Sequence, residues 1–223
     1  MPELNKEQEE AASFIDGICA VIAVPGSGKT RTMMERIGKL VKLHDVAPES
    51  ILGLTFTRNA AEEMRSRLIP VLGDQASRVM LSTLHSFCYW VLKCEGRVFE
   101  ILSGKEQLIF MRNILKQLRI KNVSLGMALG EISLAKNNLI TVDEFRDLYE
   151  GDKIGSRISD IYETYDLQKT KKMLLDFDDL LFEVYKLFSS HPAIKEKYSD
   201  RFTHVLVDEF QDTNPVQMEL LRS

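Results

Sequence analysis

The residues with the greatest chemical capacity fall in two short segments near opposite ends of the chain. The first, Ala23-Val24-Pro25-Gly26-Ser27-Gly28-Lys29-Thr30, sits between an apolar run and a helical pattern. Closely spaced glycines let successive backbone N–H groups wrap an anion such as a phosphate, and a helix N-terminus beside them adds its dipole. In such a loop Lys29 reaches the β- and γ-phosphates of a nucleotide, and the Thr30 hydroxyl ligates Mg²⁺. Pro25 brings no N–H, so the cradle is left to Gly26, Ser27, Gly28 and the residues after them. The loop opens on Ala23, where the general GxxxxGK[ST] pattern has glycine.

The second segment is Thr203-His204-Val205-Leu206-Val207-Asp208-Glu209, an apolar run ending in two adjacent carboxylates. Opposite a phosphate loop, Asp208 holds Mg²⁺ through water, while Glu209 orients and deprotonates the attacking water. Taken alone, two carboxylates at a strand end also suit a solvated turn. Paired with the loop they indicate nucleotide hydrolysis rather than binding only. No NKxD-like segment for guanine occurs, which leaves adenine as the default base and ATP as the nucleotide.

Both segments need rigid elements behind them. Four continuous apolar runs, Ile18–Val24, Ile51–Thr55, Val79–Ser82 and His204–Val207, suit strands of a parallel sheet covered on both faces. Helical patterns follow the first two: Met33, Ile37, Leu40 and Val41, then Ala60, Ala61, Met64 and Leu68, with Glu62 and Glu63 in the favourable first turn. This alternation predicts a doubly wound α/β core. From about Gly96 to Asp176 the rhythm changes to helix after helix. One stripe is Leu108, Met111, Leu115 and Leu118, another is Ile158, Ile161, Tyr162 and Tyr165, and Gly126, Gly130, Gly151 and Gly155 punctuate the region. A helical subdomain inserted into the core accounts for it. Asn214-Pro215 is an N-cap and first-turn pair opening a last helix through Met218, Leu221 and Arg222. The sequence stops inside that helix, and Ser223 reads as a cut rather than a natural terminus.

Composition narrows the class. With 223 residues, the chain reads as one large domain or a domain with an insertion, and 44% hydrophobic residues exclude a disordered chain. The longest apolar run is far short of the roughly 20 residues of a membrane span. The polar, acidic N-terminus does not read as a secretory signal, so a cytoplasmic location and no membrane partner are expected. A net charge of −4 gives no global attraction to nucleic acid, so any such binding needs a local groove. Cys19, Cys88 and Cys94 show no metal or disulfide spacing and read as reduced, mostly buried thiols.

Continuing through Asp208-Glu209-Phe210-Gln211-Asp212-Thr213-Asn214, the chain resembles the UvrD/Rep/PcrA family of superfamily 1 DNA helicases nearly end to end. Leu4-Asn5 and Gln8 look like the family's Q motif, in which the glutamine reads the adenine edge. Ala23 to Thr30 is similar to its motif I, where alanine commonly opens the loop. Leu54 to Met64 resembles motif Ia, and Ser82-Thr83-Leu84-His85-Ser86-Phe87 resembles motif Ib. Ile132-Ser133, Ala135-Lys136-Asn137 and Asp176 to Leu181 match further family segments.

The resemblance implies a RecA-like P-loop NTPase core, subdomain 1A, over residues 1–95 and 176–223, with helices on both faces of the sheet and an incomplete C-terminus. It assigns residues 96–175 to the inserted helical subdomain 1B. It also implies ATP-driven, 3′-to-5′ movement on single-stranded DNA in repair or replication restart. Phe56 offers a base a stacking face, and Thr57, Arg58, Thr83 and His85 can meet phosphates. On residue type alone Phe56 equally suits a core aromatic, and His85 a structural histidine. Arg58-Asn59 stands where the family usually has Asn-Lys. Lys136 reads as a DNA contact or a solvated helix lysine, Lys169, Lys171 and Lys172 as a solvated basic face, and Asp178-Asp179 as a helix cap. Motif III and the motifs after it, with the arginine fingers and the second RecA-like lobe, lie beyond the sequence, so residues 1–223 are expected not to unwind DNA alone. The competing readings are the motor part of an AddA-like helicase–nuclease, an ATP-regulated single-strand-binding module without hydrolysis, and, weakest, a P-loop kinase.

Overall fold

The computed structural model describes residues 4–15 and 17–222, and the expected cut at Ser223 lies outside them. In chain order the helices and strands are α1 (Lys6–Ser13), α2 (Lys29–Leu43), β1 (Ile51–Thr55), α3 (Arg58–Leu72), β2 (Met80–Thr83), α4 (Leu84–Cys94), β3 (Glu100–Ile101), α5 (Gly104–Gln117), α6 (Leu125–Asn137), α7 (Val142–Leu148), α8 (Lys153–Lys171), β4 (Leu174–Leu175), α9 (Phe177–Ser190), α10 (Pro192–Arg201), β5 (His204–Val207) and α11 (Pro215–Arg222). This is an α/β chain. It divides into two compact units, Met1–Ser86 with Ala193–Asp212 and Phe87–Pro192 with Thr213–Ser223.

The first unit is organised on a parallel sheet of order β2-β1-β5, in which Leu52 sits opposite both Met80 and Val205. Only the central strand β1 is buried along its whole length; β2 and β5 are partly exposed, so coverage of both faces holds for β1 alone. Met34, Ile37, Leu40, Ile51, Met64 and Leu68 form the heart of the core, each removal of such a side chain from water being worth about 1.5–3 kcal/mol. Helices α2 and α3 approach closely at Gly38, where an added Cβ would lie 2.5 Å from Val71 Cγ1.

Two expectations fail here. Ile18–Val24 is not a strand: it has no regular structure, and Ile18 and Ile22 are fully exposed. Apolar side chains suit a strand, but a strand also needs a neighbour for its backbone groups, and the run pairs with none among the described residues. Helix α3 begins at Arg58, so Glu62 and Glu63 fall beyond its first turn. The Thr57 hydroxyl, accepting from the Ala60 N–H, caps it instead.

The second unit is helical, with a short parallel β3–β4 ladder. Met111, Ile114, Ile132, Ile161, Tyr162 and Tyr165 are at the centre of its core. The α8 stripe is as read from the sequence. On α5, Met111 and Leu115 are buried and Leu118 packs against the core as expected, while Leu108 is exposed and Phe110 and Ile114 widen the inward face. Gly126 and Gly130 lie inside α6 and Gly155 inside α8, so only Gly151, at φ +85°, breaks between helices. Asn214 caps α11, its Oδ1 accepting from the Gln217 N–H at 3.0 Å. Of the cysteines only Cys88 is buried, which pushes its thiol pKa up; Cys19 and Cys94 are exposed.

Charge is also buried in this unit. Lys136 and Lys169, both expected to face solvent or DNA, are 1% and 2% exposed. Lys136 Nζ donates to Asp166 at 2.9 Å and to Asp179; Lys169 Nζ donates to Asp176 at 2.7 Å and to Asp179. Asp176 and Asp179 meanwhile form the capping box that opens α9. Burial opposes the Lys136 charge, but Asp176, Asp179 and Asp166 outweigh it and hold its pKa well above the usual lysine value. Burial likewise opposes the Asp176 charge, and the two lysines overcome it, holding that carboxyl below its usual range. Removing one partner leaves buried charge uncompensated. Lys136→Ala is therefore expected to destabilise this unit by about 3–5 kcal/mol, read by urea unfolding through the lone tryptophan, Trp90, which lies in it. A loss below about 1 kcal/mol, as for an exposed ion pair, contradicts the buried reading.

Candidate functional site

The glycine-rich segment turns through two left-handed residues, Gly26 at φ +79° and Gly28 at φ +89°, which glycine adopts without the Cβ penalty of other residues. The Ser27 N–H donates to Val24 O at 3.2 Å, closing the turn. Gly28 then starts α2, which carries no side-chain cap. The first N–H groups of a helix have no intrahelical partner, so this N-terminus presents donors and a positive dipole end. Lys29 Nζ lies 3.5 Å from Ala23 O and 3.9 Å from Glu209 Oε2. The Ser27 hydroxyl oxygen is buried and makes no hydrogen bond.

The carboxylate segment reaches the same place. The Asp208 N–H donates to Leu54 O at 2.8 Å, carrying the β1–β5 ladder one residue past β5. Thr30 Oγ1 donates to Asp208 Oδ2 at 3.2 Å, joining residues separated by most of the chain. Glu209 is itself left-handed, at φ +54°, a conformation costing a non-glycine residue on the order of 1 kcal/mol. Around it the Asp212 N–H donates to Glu209 O at 3.0 Å, and the Gln211 side-chain amide donates to the Glu209 carboxylate. Lys29, Thr30, Asp208 and Glu209 are thus brought together. The combination of glycine backbone, ammonium, hydroxyl and paired carboxylates can hold a polyanion and activate a water beside it.

Gln8 joins the loop from α1. Its backbone N–H donates to Asn5 Oδ1 at 2.8 Å, its Oε1 accepts from the Asn5 N–H at 3.0 Å, and its Nε2 donates to Ser27 O at 2.7 Å. Helix α1 is tied to α2 by Arg36, whose guanidinium donates to Ala11 O at 3.3 Å and Ile15 O at 3.4 Å and lies over the Phe14 ring. Burial lowers the Arg36 pKa from the usual arginine value. Nothing in the sequence marks Arg36, because an arginine on a helix ordinarily reads as solvent-facing.

The residues assigned to a single-strand groove lie at the C-terminal ends of β1 and β2, the side on which open α/β sheets bind ligands. Phe56 and Arg58 are exposed and His85 is half-buried. Thr57 Oγ1 is taken up by the α3 cap, and Thr83 is buried, its Oγ1 accepting from the Ser86 N–H at 3.1 Å and donating to Ser86 Oγ at 2.9 Å. Phe56 and Arg58 are exposed beside turns held by the two threonines, and the Thr57 hydroxyl, which only accepts in its cap, keeps its own proton for a ligand.

A polar link in the second unit goes unmarked in the sequence. Asn214 Nδ2 donates to Asn137 Oδ1 at 2.7 Å, and Asn137 Nδ2 donates to Asp178 Oδ1 at 3.1 Å, joining α11, α6 and α9. Asn214 is legible as a cap, but its second partner is distant in sequence and carries no local signal.

A glycine loop opposed by a strand-end carboxylate pair on a parallel sheet is a candidate anion site, and the chain's relatives narrow its class. Residues 4–223 match the model of the UvrD/REP helicase N-terminal domain, and the chain belongs to that family. It is 38% identical over 229 residues to the ATP-dependent DNA helicase PcrA of Bacillus subtilis, covering 98% of this chain and 31% of that protein. Proteins of the same name from Staphylococcus aureus and Staphylococcus epidermidis are 35% and 34% identical over 227 residues. The chain spans less than a third of the length of these relatives.

The asparagine link yields a direct test. Asn214→Asp keeps an acceptor for the Gln217 N–H but loses the donor to Asn137, and is expected to cost about 1 kcal/mol. Asn214→Leu loses both and is expected to cost about 2–3 kcal/mol. Denaturation followed by Trp90 fluorescence reads the difference; an Asp variant as stable as the parent means the Asn137 bond contributes nothing.

Proposed function

We propose that this chain is the ATP-binding N-terminal part of an ATP-dependent, 3′-to-5′ DNA helicase or single-strand translocase, cytoplasmic and serving repair or replication restart. Residues 1–95 and 176–223 take the role of a RecA-like subdomain 1A, and residues 96–175 that of the helical subdomain 1B. The observation that carries the reading is the 3.2 Å contact between Thr30 and Asp208, with Lys29 3.9 Å from Glu209 beside the glycine loop. The names of the relatives, ATP-dependent DNA helicases, support the same activity. No helix among the described residues is long and apolar enough to cross a membrane.

The donor set fits a magnesium nucleotide. Thr30 Oγ1 and Asp208 Oδ2 are hard oxygen ligands at one point, suited to a cation that keeps several waters and shares phosphate oxygens. The buried, unpartnered Ser27 hydroxyl is a polar group awaiting a partner at the loop. Thr30 and Asp208 would hold Mg²⁺ there, and the charge it would supply is neutralisation of the nucleotide's phosphates. Gly26, Ser27, Gly28 and the α2 N-terminus hold the phosphates through backbone N–H groups, Pro25 shapes the turn, and Lys29 pairs with the terminal phosphates. Glu209 orients the attacking water and takes its proton. Gln8 reads the adenine edge. Phe56 stacks a base of single-stranded DNA, and Arg58 and His85 meet its phosphates from the turns that Thr57 and Thr83 hold.

In a two-lobed motor the arginine fingers come from the second lobe, and such residues are worth about 10³–10⁵ in rate. Residues 1–223 alone are therefore expected to bind MgATP, to lose that binding at least about tenfold in Lys29→Ala, to show no turnover above the Lys29→Ala blank, and not to unwind duplex DNA. Steady-state hydrolysis with and without single-stranded DNA, alongside calorimetric titration, reads these outcomes. DNA-stimulated turnover that disappears in Lys29→Ala would overturn the need for a second lobe. Nucleotide binding unchanged in Lys29→Ala would overturn the site itself.

A further inference from the structure

We infer that Gln8 is a positioning residue for the phosphate loop: its side-chain amide latches the Ser27–Gly28 peptide in the orientation that presents the Gly28 N–H to an anion. The inference rests on the nucleotide-site reading above but assigns Gln8 a role independent of any base. A trans peptide is planar, with its C=O and N–H pointing in opposite directions. Gln8 Nε2 holds Ser27 O at 2.7 Å, so the Gly28 N–H of the same peptide is turned to the side away from α1. The peptide would otherwise be free to rotate, because Gly28 at φ +89° lacks the Cβ that restricts other residues. The fit is close: a Cβ added at Gly28 would lie 3.0 Å from Gln8 Nε2.

The latch has its own support. Gln8 Oε1 is engaged by the Asn5 N–H at 3.0 Å, which fixes which end of the amide faces the loop. Helix α1 in turn is held on α2 by Arg36 at Ala11 O and Ile15 O and by Lys39, paired with Glu9 and 2.8 Å from Ser13 Oγ. The residue that anchors the loop is thus carried on a helix tied to α2, the helix into which the loop leads. A carboxamide has two N–H hydrogens and two acceptor lone pairs. After bonding Ser27 O and the Asn5 N–H, Gln8 keeps one donor and one lone pair. An adenine edge can use these without releasing the loop, so base occupancy and loop geometry act through a single amide.

The test separates base reading from loop positioning with a ligand that has no base. Affinities of the 223-residue chain for MgATP and for magnesium inorganic triphosphate are compared in the parent, Gln8→Met, Glu10→Gly and Lys29→Ala. Gln8→Met keeps length and neutrality and removes the donor. It is expected to weaken triphosphate by about threefold to tenfold, the equivalent of one hydrogen bond, and ATP by at least as much. Glu10→Gly, which loosens α1 at an exposed position without touching Gln8, Asn5 or Ser27, is expected to leave triphosphate binding unchanged. Triphosphate affinity unaffected in Gln8→Met would overturn the latch, and so would an equal loss in Glu10→Gly, since the effect would then come from α1 fraying. Equal affinity in the parent and Lys29→Ala would defeat the nucleotide-site reading instead. In that event amide exchange across residues 26–30 of the ligand-free chain decides the latch: faster exchange in Gln8→Met upholds it, and unchanged exchange overturns it.

Discussion

The hydrogen bond between Thr30 and Asp208 depends on more of the first unit than any other contact, although by itself it is worth only about 1 kcal/mol. Two segments from opposite ends of the chain meet there, and neither can reach the other through local structure. The meeting requires β1 and β5 to pair with Leu54 opposite Val207, so that the next residue, Asp208, bonds Leu54 O. A slip of one residue would send each β5 side chain to the other face and take the carboxylate with it. It also requires α2 to be seated by Met34, Ile37 and Leu40 on the core that β1 shares, which fixes where Thr30 begins. The apolar core supplies the free energy, and the polar contact reports whether the register is correct.

The second unit is ordered differently. Its core includes two lysines and two aspartates at or below about a twentieth exposure, closed by Asp166 and wrapped by Tyr162 and Tyr165. Such a cluster is weak evidence for stability, because the desolvation of each ion offsets much of the attraction. Its geometric content is stronger. Lys136 comes from α6, Lys169 from α8, and Asp176 and Asp179 from the α9 cap, so the charges balance only when three helices are in register. An apolar side chain tolerates a shift along a neighbouring helix, whereas an ammonium that loses its carboxylate does not. This offers a physical reason for α9 to begin at Asp176 rather than a residue earlier or later.

What was legible in the sequence follows the range of the interaction. β1, β5, the α8 stripe and the Asn214 cap were readable because each is decided by residues a few positions apart. The loop and its carboxylate partner were readable because residue type, spacing and flanking pattern agree. The Ile18–Val24 run was misread because a strand is a relation between two segments, and apolar content describes one. Lys136 and Lys169 were misread for a related reason: a lysine declares its charge, while Asp176 and Asp179, which let both be buried, lie at the start of another helix. Thr57 and Thr83 show a finer limit. Their hydroxyls, expected to meet phosphates, also accept backbone N–H groups at the start of α3 and the first turn of α4, a local role that residue type alone does not announce.

The left-handed residues of the site divide along the same line between shape and chemistry. Gly26 and Gly28 turn the loop where only backbone is required, so the residue type that turns most freely can be used. Glu209 makes a comparable turn with a side chain that the proposed hydrolysis would use, a use glycine could not serve. The conformational penalty is then offset by the hydrogen bonds around it: Asp212 N–H to Glu209 O, Gln211 to its carboxylate, and the Glu209 N–H to Asp208 Oδ1 at 3.1 Å. Strain of this kind persists only where neighbours over-determine the conformation. Its placement directly after Asp208 ends the strand's alternation between the two adjacent carboxylates. Asp208 thereby stays with Thr30 while Glu209 comes within ion-pair distance of Lys29, and one turn gives two adjacent acids separate roles.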